Sequence, residues 1–408
     1  MKRQTTIVGL DIGSHSIKAC CGLAGDDKLK EIAGVFEVPA KGMREGNIFE
    51  LSSMISSIQS CLRIIEEKIA LPVDLTYASL NGLDIVRSDH SAFIDLKDND
   101  GQIARGDVNR INSLARDIAL SYEKQLIHVL PIDYEVDGAR GIANPLGMYG
   151  SRLGMHVNVV SANRNHTQNL AQAVQSAGLE IDELRLGLLA CSEVVLSAQD
   201  RHNGVILIDM GAEVVQAGFF KNGFLCDFTA FGLGGNTITN AISDHFQISS
   251  DVAETLKIRY GGCISKTKYA DENLVVKTHT GYKYYSRQKL CELVDARTRE
   301  IMNTIASHIV QKRYYRQAAS GVVVVGGGCL LEGLLEIAQE LINLECRMGF
   351  YHQGFKSQIR MDVVDIKYAT SVGLVQYGFT LLKGKKPRRQ GRLGQLIGTV
   401  RDFYQDYF

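Results

Sequence analysis

Three turns rich in glycine carry the residues of this chain that are best suited to chemistry. They are Gly9-Leu10-Asp11-Ile12-Gly13-Ser14, Ile208-Asp209-Met210-Gly211 and Gly326-Gly327-Gly328. Each follows a short run of β-branched residues, which predicts a buried strand that ends in a tight turn. Glycine lets the backbone come close to a ligand, and successive N–H groups can cradle phosphate oxygens. The turns therefore indicate a phosphate-binding site.

The first two turns each carry one aspartate. Asp11 and Asp209 are the type of residue that holds Mg²⁺, directly or through water. One such turn alone is more often a plain connection from a strand to a loop. The order and spacing of all three, however, resemble those of the actin, sugar kinase and heat-shock chaperone superfamily. That resemblance implies two phosphate turns and one adenosine turn that close on a nucleotide between two halves.

Composition predicts a large soluble protein with more than one domain. The chain has 408 residues, 45% of them hydrophobic, which is enough for two or more cores. Its 45 basic residues balance 45 acidic ones, so no global charge points to nucleic acid. The nine cysteines form no CxxC pair and are expected to be reduced thiols of a cytosolic protein. Asp11 interrupts the first apolar stretch, so neither a signal peptide nor a membrane span is expected.

The pattern along the chain predicts two halves of similar construction, each with an insert. In the first half, strands over Thr5–Ile12, Ser16–Leu23 and Leu29–Val38 precede an amphipathic helix that ends before Pro72. From about 84 to 162 the pattern changes to strand, helix, strand and strand, which indicates an inserted module. The second half repeats this logic with strands over 205–220, a helical insert over about 235–319, the strand Gly321–Val325 and the helix Gly333–Leu344.

Four further stretches narrow the resemblance to the FtsA family, the actin-like proteins of bacterial cell division. They are Gly141-Ile142-Ala143-Asn144-Pro145-Leu146-Gly147-Met148-Tyr149-Gly150, Lys41-Gly42-Met43-Arg44-Glu45-Gly46, Ala253-Glu254 with Lys257 and Tyr260-Gly261, and Tyr368-Ala369-Thr370-Ser371-Val372-Gly373-Leu374. The first resembles a turn of a subdomain that the family inserts and that actin lacks. Taken alone, its Asn144-Pro145 segment is explained equally well as a polar surface turn.

The FtsA resemblance implies an α/β, actin-like ATPase fold. Two halves enclose a nucleotide cleft, and an FtsA-type subdomain IC and a C-terminal amphipathic helix are added. The implied divisions are 1–83 with 163–200 for subdomain IA, 84–162 for IC, 201–235 with 320–382 for IIA, 236–319 for IIB, 383–391 for a basic linker and 392–408 for a membrane-targeting helix.

The C-terminus has the pattern of an amphipathic helix. Its apolar positions recur with helical spacing: Leu393, Leu396, Ile397, Val400, Phe403, Tyr404 and Tyr407. The basic run before it is broken by Gly384, Pro387 and Gly391, which indicates a flexible tether. Such a helix either docks on its own domain or lies on an anionic membrane, where each basic residue contributes about 1 kcal/mol. The basic charge and the family resemblance favour the membrane.

For the cleft, the resemblance implies ATP with Mg²⁺ and assigns roles to particular residues. The phosphate and metal contacts are Asp11, Gly13, Ser14, Lys18, Asp209, Gly211 and Gly235, with Asp11 and Asp209 on the magnesium side. The adenosine contacts are Gly326, Gly327, Gly328, Glu254 and Lys257. Glu193 lies near the place where actins orient the attacking water, and it is either that catalytic group or an ordinary solvated glutamate.

The second phosphate turn departs from the family pattern, which reads Asp-Ile-Gly-Gly-Gly-Thr with a later acidic residue. Here Glu213, Val214 and Gln216 replace a glycine, the threonine and that acid, and Asn240 stands where the family tends to have aspartate. A glutamate that faced the phosphates would repel them, whereas one that faced solvent or a lysine would not. We expect a protein that binds nucleotide and is at most a weak ATPase; occupancy alone can switch a polymer.

The resemblance also implies partners. It predicts self-association into filaments on the cytoplasmic face of the inner membrane at the division site, contact with anionic lipids and other divisome proteins, and no nucleic acid. The second insert is expected to bind the C-terminal peptide of the tubulin-like division protein FtsZ. Arg287 and Arg297 are the candidate contacts for its carboxylates, with solvated surface charge as the plainer alternative.

Three other functions are compatible with parts of this pattern. A small-molecule kinase of the superfamily would share the turns but has no use for a membrane tail. A pilus-assembly scaffold related to FtsA would share the inserted module. A scaffold that has lost nucleotide binding would share the fold and the altered second turn.

Overall fold

The computed structural model describes residues 4–25, 30–96, 101–118, 124–263, 272–278, 281–356 and 364–384. The strands are β1 (Thr5–Ile12), β2 (Ser16–Ala24), β3 (Lys30–Pro39), β4 (Met43–Arg44), β5 (Asn47–Ile48), β6 (Leu75–Leu80), β7 (Val86–Asp95), β8 (Lys124–Val136), β9 (Ala139–Ile142), β10 (Arg152–Asn163), β11 (Glu183–Leu186), β12 (Val205–Met210), β13 (Val215–Lys221), β14 (Phe224–Phe231), β15 (Asn273–Thr278), β16 (Gly281–Ser286), β17 (Val322–Val325) and β18 (Cys346–Met348). The helices are α1 (Leu51–Ile69), α2 (Arg105–Ile118), α3 (Arg164–Ser176), α4 (Gly187–Val195), α5 (Ala198–Asn203), α6 (Gly235–Phe246), α7 (Ser250–Tyr260), α8 (Arg287–Gln311), α9 (Leu334–Ile342), α10 (Gln353–Lys356) and α11 (Ala369–Gly384).

Two five-stranded sheets with the same topology form the two halves. The first has the order β11-β6-β1-β2-β3 and the second the order β14-β13-β12-β17-β18. In each sheet the strand that leads into a phosphate turn is central, antiparallel to the following strand and parallel to a later one. Side chains on both faces of β1 and β12 are buried, which explains why these strands read as continuous apolar runs. Both strands end at the same edge of the molecule, where the two halves meet.

The last described helix packs on the first sheet, although it comes from the end of the chain. A Cβ placed on Gly9 of β1 would contact the Leu374 Cβ of α11 at 2.8 Å, and one on Gly378 would contact the Tyr77 ring at 2.6 Å. Backbones approach this closely only where glycine stands. The predicted division placed residues 369–382 in subdomain IIA, whereas α11 packs on β1, β2 and β6 of the first sheet and on α4.

The inserted module has its own sheet and its own core. Its strands have the order β7-β10-β8-β9, and α2 packs against β7 and β10. The core residues are Ala92, Ile103, Ile111, Ala115, Val129, Tyr134, Val136, Leu153, Met155, Val157 and Val159. The helix predicted within this module is α2, which begins at Arg105.

The second insert is only partly helical. Besides α6, α7 and α8 it contains the antiparallel hairpin of β15 and β16. This hairpin lies within the insert that was predicted to be helical. The hairpin buries few side chains: Tyr285 is 9% exposed, whereas Tyr282 and Tyr284 are 69% and 72% exposed. A strand pair with so little buried surface has weak apolar alternation, which is the signal on which a strand prediction depends.

A polar contact joins the inserted module directly to the second half. Asn158 of β10, 1% exposed, donates hydrogen bonds to the carbonyls of Leu225 (2.8 Å) and Cys226 (3.0 Å). Arg87 of β7 donates to Asn158 Oδ1 at 2.8 Å and forms an ion pair with Asp227 of β14. The module is therefore held by the second half as well as by the first.

His128 fastens the module to the first half. Its Nε2 accepts a hydrogen bond from the backbone N–H of Leu186 at 3.0 Å, so the ring is neutral in this contact. Complete burial, and next the positive charge of Arg185, lower its pKa to about 3.

We expect His128 to make the protein less stable in acid. Its folded pKa lies below the unfolded value of about 6.5, so the unfolded state binds the extra proton. Stability is full above about pH 6.5 and falls, by at most about 1.4 kcal/mol per pH unit from this residue, as the pH drops towards 3. Urea unfolding of the wild type, His128→Gln and the exposed-site control His202→Gln at about pH 7 and about pH 5 measures the difference. The same acid loss in all three would contradict the prediction.

Of the predicted linker (383–391) and membrane helix (392–408), residues 383 and 384 form the end of α11, and 385–408 lie outside the described residues. Within the part that is described, no helix has the length and apolarity needed to span a bilayer.

Candidate functional site

The three glycine turns converge on one cleft between the halves. Of the predicted site residues, eight line it: Asp11, Gly13, Ser14, Lys18, Asp209, Gly211, Gly326 and Gly327. They come together because β1, β12 and β17 run in the directions that bring their carboxyl ends to this edge.

Asp11 is fixed by polar groups at the end of the neighbouring strand. Its Oδ1 accepts hydrogen bonds from Ser79 Oγ at 2.8 Å and from Asn81 Nδ2 at 3.3 Å. Ser79 also receives the Ile12 N–H, at 3.2 Å. These contacts hold one carboxylate oxygen and leave the other for the cleft. Neither Ser79 nor Asn81 was singled out from sequence; the available signal was their place at the end of a buried strand, β6, which runs parallel to β1.

Asp209 shares the cleft with Asp11. Burial by the surrounding protein, and next the negative charge of Asp11, raise the pKa of Asp209 to about 7, against the opposing effects of Lys18 and a hydrogen bond from Thr370. A carboxyl group with a raised pKa beside a second carboxylate forms a site in which a divalent cation can replace the proton of Asp209. Thr370 lies in the stretch that resembled the family, but no role was predicted for it.

The third turn packs directly on the second. Gly326 has a φ of 85°, and a Cβ there would meet Asp209 Oδ1 and the Met210 carbonyl. A Cβ on Gly328 would contact Met210 Cβ at 2.8 Å. Gly327 differs, because it lines the cleft and has open space around its Cβ position. Gly326 and Gly328 thus form the turn, and Gly327 presents its backbone to the cleft.

Glu213 lies in the cleft and bonds to both halves. Its carboxylate accepts hydrogen bonds from the backbone N–H of Glu45 at 2.6 Å and from Asn236 Nδ2 at 3.2 Å. Within the described part of the chain it forms no ion pair with a lysine, which was one of the alternatives raised by the sequence. Its neighbour Val214 also lines the cleft and brings no hydroxyl.

Gln216 is a buried amide beside Asp209. The two residues are directly opposite in the β12–β13 pairing, so their side chains share one face of the sheet. Gln216 is 2% exposed, and neither Nε2 nor Oε1 has a hydrogen-bond partner among the described residues. Buried amides are rarely left unpaired, so a metal-bound water or a ligand oxygen near Asp209 suits this position.

Glu254, Lys257 and Gly235 lie beside the second turn and outside the lining of the cleft. Lys257 Nζ donates to Glu254 Oε2 (2.7 Å), to Thr239 Oγ1 (2.8 Å) and to the Gly235 carbonyl (3.1 Å). The Gly235 N–H in turn donates to the Gly211 carbonyl at 3.0 Å. This cluster is hydrogen-bonded to the second turn. The contacts of Glu254 and Lys257 with adenosine stay a prediction.

The catalytic candidate Glu193 is held by two arginines. Its carboxylate accepts hydrogen bonds from Arg185 at 2.8 Å and Arg201 at 3.4 Å, and it is not among the residues that line the cleft. These contacts do not favour a role as a base, and the catalytic role of Glu193 stays a prediction.

Arg287 and Arg297 lie on α8 in different settings. Arg287 donates to both carboxylate oxygens of Glu272 at 2.9 Å, and its side chain is 18% exposed. Arg297 forms an exposed pair with Glu300 on the same helix. Both guanidinium groups have intramolecular partners, and their predicted contacts with a peptide are not tested by this arrangement.

The cleft is narrow. Its cavity measures about 90 Å³, whereas small-molecule pockets are roughly 300–1,000 Å³. A larger cavity of about 250 Å³ lies elsewhere, lined by seven polar residues that include the paired Asp200 and Arg347. That cavity has none of the glycine turns, so we place the candidate nucleotide site at the cleft, which has to widen to admit a nucleotide.

Two sheets of one topology around a cleft of glycine turns define an actin-like protein. A model of the SHS2 domain inserted in FTSA matches residues 82–161, and a model of the cell division protein FtsA matches residues 206–373. The chain belongs to the FtsA family of cell division proteins. The FtsA of Pseudomonas aeruginosa is 28% identical over 376 residues, which are 91% of this chain and 89% of that protein.

Solved structures agree on the fold. A PilM–PilN type IV pilus biogenesis complex superposes with a TM-score of 0.65 at 15% identity, over 91% of this chain and 98% of that chain. MreB5 of Spiroplasma citri bound to ADP gives 0.57 at 9% identity, over 93% and 98%. At these identities the likeness concerns the fold alone. The predicted actin-like fold and the predicted family are confirmed.

Proposed function

We propose that this cell division protein binds ATP with Mg²⁺ in the cleft and works as a membrane-attached polymer that tethers FtsZ. The convergence of three glycine turns, two carboxylates and one lysine on a single cleft carries the nucleotide part of the proposal. MreB5, which has the same fold, is a nucleotide-bound structure, and this supports the position of the site.

Each group in the cleft has a distinct task in binding. Backbone N–H groups of the Gly13 and Gly211 turns bind phosphate oxygens, and Lys18 adds positive charge. Asp11 and Asp209 hold Mg²⁺, and the Gln216 amide meets a water of that ion. Bound Mg²⁺ neutralises phosphate charge. Gly327 receives the adenosine side against bare backbone.

Hydrolysis is slow or absent in this proposal. Efficient hydrolysis needs a group that orients the attacking water. The carboxylates that line the described cleft are Asp11, Asp209 and Glu213, and each is held by neighbouring donors or faces another carboxylate. Glu193 is bound by two arginines. Occupancy of the cleft, rather than turnover, then controls the polymer.

Membrane attachment is assigned to the C-terminal segment, and FtsZ binding to the second insert. The apolar face of 392–408 and the basic run before it bind anionic lipid. Subunits stack head to tail, so that many weak anchors act together. The FtsZ peptide binds the second insert, where the exposed Tyr282 and Tyr284 offer apolar anchors beside α8.

We expect deletion of 392–408 to release the protein from anionic vesicles. The apolar face supplies the insertion energy and the basic run is screened by salt, so binding by the full chain should also weaken as salt rises. Co-sedimentation with vesicles of acidic phospholipid measures both effects. In the same tubes, FtsZ should sediment only with the full chain, and electron microscopy of lipid monolayers should show filaments. Unchanged sedimentation of the deleted chain, or FtsZ left in solution by the full chain, would contradict the corresponding part of the proposal.

The pilus scaffold and the kinase have less support. The relatives that cover the length of this chain are named as FtsA proteins, whereas the pilus complex is similar in fold alone. A kinase would need a catalytic base in the cleft, and Glu193 is held away by its arginines.

A further inference from the structure

Glu213, which follows Gly211 of the second turn, reaches the opposite half. The turn between β4 and β5, which belongs to the first half, offers its Glu45 N–H to Glu213 Oε2 at 2.6 Å. On the other side, Asn236 of α6 donates its side-chain amide to Glu213 and its backbone N–H to the Ala212 carbonyl, at 3.2 and 2.7 Å. The Glu213 carboxylate therefore links the two halves across the cleft.

The β4–β5 turn has the form of an anion seat. Glu45 and Gly46 both have positive φ, 50° and 83°, and form the two-residue turn of the β4–β5 hairpin, so their N–H groups take no part in the strand pairing. Backbone N–H groups of a turn can bind an anion. The Gly46 N–H donates to Ser14 Oγ at 3.4 Å, and the Glu45 N–H takes the Glu213 carboxylate. The turn is also fixed in place, since a Cβ on Gly46 would meet the Gly82 Cα at 2.6 Å.

We propose that Glu213 acts as an internal anion that occupies this seat and sets the preference of the cleft for a nucleoside diphosphate over a triphosphate. A terminal phosphate that reaches the β4–β5 turn must displace Glu213 and then lie beside its negative charge. The inference rests on the proposed nucleotide binding.

The charges around the cleft support this selectivity. With Asp11 and Asp209 assigned to Mg²⁺, Glu213 is the remaining carboxylate of the described lining, and the lining residue Lys367 already pairs with Glu37 at 2.7 Å. The additional phosphate of a triphosphate therefore meets the charge of Glu213. Like charges a few ångströms apart repel strongly where little water screens them. The repulsion should fall on the terminal phosphate, because Glu213 follows the second phosphate turn in the chain and bonds to the β4–β5 turn.

Calorimetric titration with ADP and ATP in Mg²⁺ tests the proposal. Titrations compare the full chain with Glu213→Gln, which keeps the shape and removes the charge, and with Glu67→Gln, the same change on the exposed face of α1. The wild type is expected to bind ADP more tightly than ATP. In Glu213→Gln the ratio of ATP to ADP affinity should rise about tenfold. Glu67→Gln should leave the ratio unchanged.

Two contrary results have different meanings. If both nucleotides bind and the ratio is the same in all three proteins, Glu213 does not select, and the proposed nucleotide binding stands. If neither nucleotide binds any of the three, the proposed nucleotide binding fails and this inference fails with it.

Hydrogen exchange supplies a second readout that needs no nucleotide. The peptide that spans 41–50 should exchange faster in Glu213→Gln than in the wild type, because a neutral amide is a weaker acceptor for the Glu45 N–H. The Glu67→Gln protein is the reference. Equal exchange in this peptide would show that Glu213 does not hold the turn.

Discussion

Replacing Gly327 by leucine is expected to abolish nucleotide binding without unfolding the protein. Gly327 lines the cleft, and its missing Cβ points into open space, so a leucine can be added without a clash in the protein itself. The added side chain then fills a cleft of only about 90 Å³. We expect a loss of affinity of about 100-fold or more, equivalent to about 2.7 kcal/mol.

The measurement pairs calorimetric titration with thermal unfolding of the same samples. Gly106→Leu is the matched control, because Gly106 lies in the inserted module and also has open space at its Cβ. It should bind nucleotide as the wild type does. If Gly327→Leu binds ADP or ATP with unchanged affinity, the nucleotide does not lie against the third turn.

Substitution of the adjacent Gly326 should instead destabilise the turn itself. Gly326→Ala places a Cβ against Asp209 Oδ1 and 2.7 Å from the Met210 carbonyl, at a residue with φ of 85°. Positive φ alone costs an alanine about 1–2 kcal/mol. Gly326 therefore maintains the turn, whereas Gly327 leaves room for the ligand. Two neighbouring glycines that look alike in sequence have different physical roles.

Local patterns were sufficient to predict much of the frame. The strands around the three turns are β-branched, and glycine follows each of them, so both the elements and their convergence could be inferred. Ser79 and Asn81, which fix Asp11, could have been found in the same way, since they end a strand parallel to β1. The hairpin of the second insert was missed because most of its side chains face water.

The partners of charged residues could not be predicted. Glu193 has the expected position in sequence, but its carboxylate meets Arg185 and Arg201, which belong to a different strand and a different helix. Glu213 bonds to a residue 168 positions away. Choosing among such partners requires the tertiary structure, because the sequence specifies that a charge exists and not which group meets it.

Removing the carboxylate of Asp227 should lower the free energy of unfolding more than any other substitution named here. Asp227, with 7% of its side chain exposed, forms ion pairs with Arg87 and with Lys312 (3.2 Å) and accepts a hydrogen bond from Tyr314. Asp227→Ala leaves these donors without their acceptor in a buried site. Breaking a buried pair in this way costs about 3–5 kcal/mol. Asp89→Ala removes the exposed partner of Arg87, and its cost should be below about 1 kcal/mol.

Urea unfolding of both variants measures these costs, and a double-mutant cycle of Arg87→Ala with Asp227→Ala isolates the pair. A coupling energy of at least about 1.5 kcal/mol is expected. Because Arg87 lies on the inserted module and Asp227 on the second sheet, the same change should accelerate hydrogen exchange in β7 and β10. Coupling near zero would mean that the Arg87–Asp227 pair does not hold the module to the second half. A large coupling would mean that the module cannot move with the first half without straining this contact, so a change in the width of the cleft reaches the module through Asp227.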